Sequence, residues 1–144
     1  MTDEIRGQFT VVEDATHRYT YEDDDPVPPF GWHLLVCVEE CAPVTMSEDG
    51  VMRFALELAA KARMRVHGSA KLAPQAEWYG DGDCAGVTAV VPLDTSSIVV
   101  HAVDSTRRVH FEVWSCRVFE AAPCVEHAMS FFGGTVRTSR FVVT

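Results

Sequence analysis

Apolar and polar positions alternate along this chain with two different periods, and the period separates strands from helices. Residues 32–38, WHLLVCV, form an apolar run rich in strand formers and predict a first strand. Behind Ser47, a good helix cap, Val51, Phe54, Ala55, Leu58, Ala59 and Ala62 recur at three- and four-residue spacing, which predicts a helix. Further strands are predicted over residues 65–72, 86–93, 98–103 and 109–116, with a turn over 104–108. Pro123 opens a second helix carrying Val125, Ala128, Met129 and Phe132, and Gly133-Gly134 ends it. Residues 136–143 complete the pattern as a last strand. The order is β-α-β-β-β-β-α-β. Both helices on one face of a largely antiparallel sheet bury these stripes most economically, giving an α+β two-layer sandwich.

Residues 1–29 read differently from the domain predicted over 30–144. Glu22-Asp23-Asp24-Asp25 is a charge block followed by Pro26, Pro28 and Pro29, the composition of a partly disordered extension. Within it, Phe9-Thr10-Val11-Val12 can add an edge strand. Residues 78–85 are polar and rich in Gly and Asp, and read as a loop.

At 144 residues the chain is one domain's worth, and its 47% hydrophobic content allows a real core. A net charge of −9 argues against nucleic acid or an anionic membrane as partner. No apolar run approaches the ~20 residues that span a bilayer, and the acidic start has no leader pattern, so a cytoplasmic protein is expected. The five cysteines include no CxxC pair and read as reduced thiols. His33, Cys37 and Cys41 share one face of an extended strand but spread over ~25 Å, too far for one ion, so no metal site is expected. No Gly-rich phosphate loop precedes a helix. Phe111 and Trp114 read as core.

A hairpin through the 104–108 turn pairs residues whose numbers sum to 211 or 212. Ser96 then falls opposite Ser115 or Cys116, and His101 opposite His110 or Phe111. Ser96, Ser97, His101, His110, Glu112, Ser115 and Cys116 thus share one sheet neighbourhood, where the chain's nucleophile, base and thiol candidates concentrate.

These residues carry a family resemblance. Gly31-Trp32-His33-Leu34-Leu35 resembles the GRHLL-type first strand of the short prokaryotic S-adenosylmethionine decarboxylases, with Cys41 where that family often carries a cysteine. Lys71-Leu72-Ala73-Pro74-Gln75 resembles its HKFSPQ segment, and Gly86-Val87-Thr88-Ala89 its GVSG. Thr95-Ser96-Ser97-Ile98-Val99-Val100-His101 is similar to its ESHxxIH, and Val113-Trp114-Ser115-Cys116 to the strand ending in its catalytic cysteine. The spacings Thr88 to Ser96 to His101 to Cys116 fit without a gap.

The resemblance implies a self-cleaving enzyme that is a homodimer and serves polyamine synthesis. Ser96 would attack the carbonyl of Thr95, splitting the chain into residues 1–95 and 96–144 and leaving a pyruvoyl group derived from Ser96. That group would form a Schiff base with the amine of a small-molecule substrate and act as electron sink for decarboxylation. By the same resemblance His101 would abstract a proton, Thr88 would stand for the processing serine, and Cys116 would reprotonate the product.

The chain departs from the family at several positions. Thr95 replaces the glutamate before the serine, and Ser97 the histidine after it. Leu72 replaces the aromatic of HKF, and Ala102-Val103-Asp104-Ser105 stands where adenosine-holding residues belong. An insertion over residues 76–85 brings Trp78, Tyr79, Asp81 and Asp83 toward the site. Leu72, Trp78, Tyr79, Asp104 and Glu112 are the candidate substrate-binding residues, and the acidic insertion suits a cationic amino acid such as ornithine or arginine. An unprocessed, non-catalytic homologue that binds or regulates is the alternative of a different class.

Overall fold

Side-chain alternation on the strands resolves into one apolar face and one mixed face. The computed structural model describes residues 10–11, 30–75 and 85–143. The elements are β1 (Thr10–Val11), β2 (Trp32–Glu39), α1 (Glu48–Lys61), β3 (Lys71–Gln75), β4 (Gly86–Leu93), β5 (Ser96–Val103), β6 (Arg108–Ser115), α2 (Ala121–Phe132) and β7 (Thr135–Val143). One sheet runs in the order β1-β7-β2-β6-β5-β4-β3. β1 joins β7 in parallel, and the six longer strands pair antiparallel. The chain is therefore an α+β two-layer sandwich, as the pattern predicts. The edge strand expected near Phe9 is present as β1; the rest of residues 1–29 lies outside the described residues.

Both helices lie on one face. α1 packs over β3, β4 and β5, α2 over β2 and β7, and the two helices touch. Leu34, Val36 and Val38 of β2, Ala89 and Val91 of β4, Ile98 and Val100 of β5, and Val109, Phe111 and Val113 of β6 are buried beneath them. Phe54 of α1 sits at the centre, fully buried, with its ring 5.3 Å from Phe111, 4.5 Å from Phe132, 5.5 Å from Phe131 and 5.4 Å from His127. Aromatic pairs at these distances add to area burial. Phe111 is core as expected, whereas Trp114 is half-buried on the other face.

Caps follow the sequence. Ser47 Oγ accepts from the Gly50 amide at 3.1 Å and caps α1. Gly133 ends α2 at φ +66°, a conformation glycine adopts without steric cost. α2 begins two residues before the predicted Pro123.

The strand predicted over 65–72 is the clear correction. Only Lys71 and Leu72 of it lie in β3. Positive φ at Arg63 (56°) and Gly68 (82°) breaks the chain on both sides of residues 65–67. That short segment touches the sheet through a single bridge, Val66 to Leu93. Among the described residues, no helix is long and apolar enough to cross a membrane.

Phe54→Ala should cost about 3–5 kcal/mol of stability, because four ring neighbours lose their common partner. Urea unfolding followed by circular dichroism checks this; a loss under about 1 kcal/mol would remove Phe54 from the centre of the core.

Candidate active site

The β5–β6 register obeys the sum of 211 throughout, so Ser96 faces Ser115 and His101 faces His110. On the other side of β5, Leu93 faces Ser96 and Thr88 faces His101. Ser96 and His101 are five residues apart on one strand, and an odd spacing puts them on opposite faces. They are also separated by about 16 Å of rise. The candidate residues therefore divide into two groups.

The first group surrounds the turn between β4 and β5. Only Asp94 and Thr95 separate the paired Leu93 and Ser96. Thr95 has φ +56°, the left-handed region, where a side chain costs about 1–2 kcal/mol and a β-branched one is an outlier. Its Oγ1 donates to the Asp94 carbonyl at 2.7 Å and accepts from Cys116 Sγ at 2.9 Å. Ser96 Oγ donates to Ser115 Oγ at 3.0 Å, and Ser115 Oγ also accepts from the Arg117 amide at 3.0 Å.

Asp94 is gripped from residues 65–67. Arg65 Nε lies 2.6 Å from Oδ2, and His67 Nδ1 lies 2.9 Å from Oδ1. The Asp94 amide donates to the Arg65 carbonyl at 3.0 Å, and the His67 amide to the Pro92 carbonyl at 2.9 Å. The Arg65 hydrogen bond holds the Asp94 carboxyl below its usual range, with the charges of Arg65 and His67 adding to the effect.

The second group lies on the sheet face that the helices leave uncovered. Thr88 Oγ1 is within hydrogen-bond distance of His101 Nδ1, at 3.0 Å. His110 stands opposite His101, and its Nε2 is 3.8 Å from Cys37 Sγ. Burial pushes the His110 pKa down, and the nearby Arg108 and His101 push the same way. Glu112 Oε2 is 3.4 Å from His33 Nε2.

The remaining candidates scatter. Leu72 is half-buried on β3 and packs against the core. Asp104 lies in the β5–β6 turn, at the opposite end of the hairpin from Ser96. Glu112 is on the open face, so Leu72, Asp104 and Glu112 do not converge on Ser96 within one chain. Trp78 and Tyr79 lie outside the described residues. Among the described residues no group of three or more His, Cys, Asp or Glu side chains could hold a metal ion.

Thr95, Ser96 and Cys116 do converge, joined by Ser115, and Thr88 joins His101. The Arg65–Asp94–His67 clamp carried no motif; only the turn itself could have pointed to it. Ser115 was within reach of the register arithmetic.

A scan of the sequence against protein-family models matches no family, and a search of curated proteins finds no match.

The four described cysteines are free thiols of unequal character. Burial pushes Cys41 to about 11 and Cys124 to about 12, while Cys116 is only half-buried beside the turn. Iodoacetamide at neutral pH should therefore label Cys116 at least about tenfold faster than Cys41 or Cys124, as read by peptide mass. Equal rates would contradict this burial order. A raised thiol pKa adds stability that is complete below the unfolded value of about 8.5 and fades as pH climbs toward the folded values. Thermal stability should accordingly fall above about pH 9, and a flat alkaline profile would count against it.

Proposed function

We propose that the protein is a self-cleaving, pyruvoyl-dependent decarboxylase acting on a small amino-acid or amine-bearing substrate, resembling S-adenosylmethionine decarboxylase. The observation that carries this reading is the left-handed Thr95 directly before Ser96, with three hydroxyls and a thiol hydrogen-bonded around the peptide that would break. Strain at a non-glycine residue is expected where a backbone is made reactive.

The chemistry balances on these groups. Ser96 Oγ attacks the Thr95 carbonyl carbon, the C–N bond to Ser96 breaks, and the hydroxyl proton ends on the freed nitrogen, leaving an ester. Solvent water takes the Ser96 Cα proton, and the Thr95 carboxylate is expelled as the Cα–Cβ double bond forms. Water then displaces the nitrogen as ammonia and leaves a carbonyl at position 96. Ser115 Oγ, at 3.0 Å, accepts the Ser96 hydroxyl hydrogen before attack. The Cys116 thiol holds a proton 2.9 Å from Thr95 Oγ1, beside the scissile bond. A pyruvoyl group at this position supplies an electron sink for loss of CO₂ from a bound amine.

His101 stands on the open face, paired with Thr88, and does not reach Ser96 of its own chain. The homodimer belongs to the same reading. Reduced cysteines fit a cytoplasmic setting. The other reading, an unprocessed binding homologue, is favoured by the separation of Ser96 from His101.

Intact mass under denaturing conditions separates the two. Two fragments from the wild type and one chain from Ser96→Ala support the enzyme, and a single chain in both overturns it. Thr95→Gly removes about 1 kcal/mol of left-handed strain and should slow cleavage about fivefold, as read by the time course of fragment appearance. An unchanged rate would mean that the strain plays no part.

A further inference from the structure

The open sheet face holds a second feature. A pocket of about 180 Å³ is lined by Leu35, Cys37, His101, His110, Glu112 and Arg140, among others. That is below the ~300–1,000 Å³ of a drug-sized site and suits a small metabolite. Its geometry follows from register. Leu35 of β2 pairs with Glu112 of β6 on one side and with Arg140 of β7 on the other. Glu112 and Arg140 therefore project from strands two spacings apart, about 10 Å. They form no ion pair with each other. The Arg140 side chain makes no hydrogen bond or ion pair with any described residue, while Arg137 of the same strand and Arg108 of β6 share Glu39.

We propose that this pocket binds an α-amino acid as its zwitterion, with the carboxylate on Arg140, the ammonium on Glu112 and the side chain over Leu35 and the His101–His110 pair. Opposite charges at the two ends of a short gap disfavour a simple anion at Glu112 and a simple amine at Arg140. A guanidinium fork suits a carboxylate, and each charge-assisted hydrogen bond takes up about 2.8 Å of the gap. Burial beside Arg108 keeps His110 toward its neutral form, and Glu112, whose Oε2 lies 3.4 Å from His33 Nε2, keeps its other oxygen for the ammonium. The pocket lies on the face opposite the Ser96 side chain. An amino acid held there is an effector or cargo of this chain, and the inference stands whether or not Ser96 is processed.

The test uses the full-length Ser96→Ala chain, so that cleavage cannot enter. Calorimetric titration with the common amino acids and ornithine should find at least one that binds with Kd below about 10 mM. Its decarboxylated amine and its deaminated acid should each bind at least about tenfold more weakly, a loss of about 1.4 kcal/mol. Arg140→Gln and Glu112→Gln should each weaken the amino acid by a similar factor, with unchanged thermal melting showing that the fold is intact. No binding below about 10 mM, equal binding of either counterpart, or unchanged binding in both variants would overturn the proposal. None of these outcomes bears on cleavage, which the intact mass of the wild type decides.

Discussion

Helices α1 and α2 cover the sheet on one side only, and this one-sided burial constrains everything else. Because Phe54, Phe132 and the strand valines must lie beneath the helices, the register of each strand is set by its apolar residues. A one-residue slip of β5 would push Ile98 and Val100 into solvent and bury His101. The polar residues of β5 thus take the places that the core leaves them. Ser96 falls in the helix-side row, at the strand's end, and His101 in the uncovered row. Packing, rather than any attraction between polar groups, decides which chemical side chains can meet.

The turn at Asp94–Thr95 shows a second contest. A threonine in the left-handed region opposes the fold by about 1–2 kcal/mol. The ion pairs that hold Asp94 cannot offset this alone, since Arg65 and His67 are 83% and 76% exposed and such pairs contribute little. The β4–β5 ladder, which runs without a break from Gly86 to Val103, closes the two-residue connection and leaves Thr95 no relaxed alternative. The clamp then fixes the direction of the turn. Strain supported by a whole hairpin is stable, and it is placed at the residue before Ser96.

Strong periodicity made most of the fold legible in the sequence. Both helices, the Ser47 and Gly133 caps, and the strands β2, β4, β5, β6 and β7 follow from residues such as Val51, Phe54 and Leu58, or from runs such as GVTAVVPL, because burial on one face writes a regular pattern. Residues 65–72 failed for a complementary reason. Arg65, Val66 and His67 form part of an edge contact held by Asp94, and an edge with one bridge imposes no period. The site was half legible. Register arithmetic placed Ser96 beside Ser115 and His101 beside His110. The residue list itself did not separate the faces, although the five-residue interval between Ser96 and His101 already required it. Arg140 carried no signal, because its significance comes from Leu35 and Glu112, over a hundred and under thirty positions away.

That interval also joins the two faces through one backbone. A sheet one residue thick is a short path between its sides: the same β5 backbone carries Ser96 toward the helices and His101 toward solvent. β6 repeats the arrangement with Ser115 and His110, which pair with them in register. A ligand on the open-face rows would rest on β5 and β6, whose other face carries Ser96 and Ser115. One-sided burial thus provides a firm support for the strained turn and, on the reverse of the same strands, a surface free to bind.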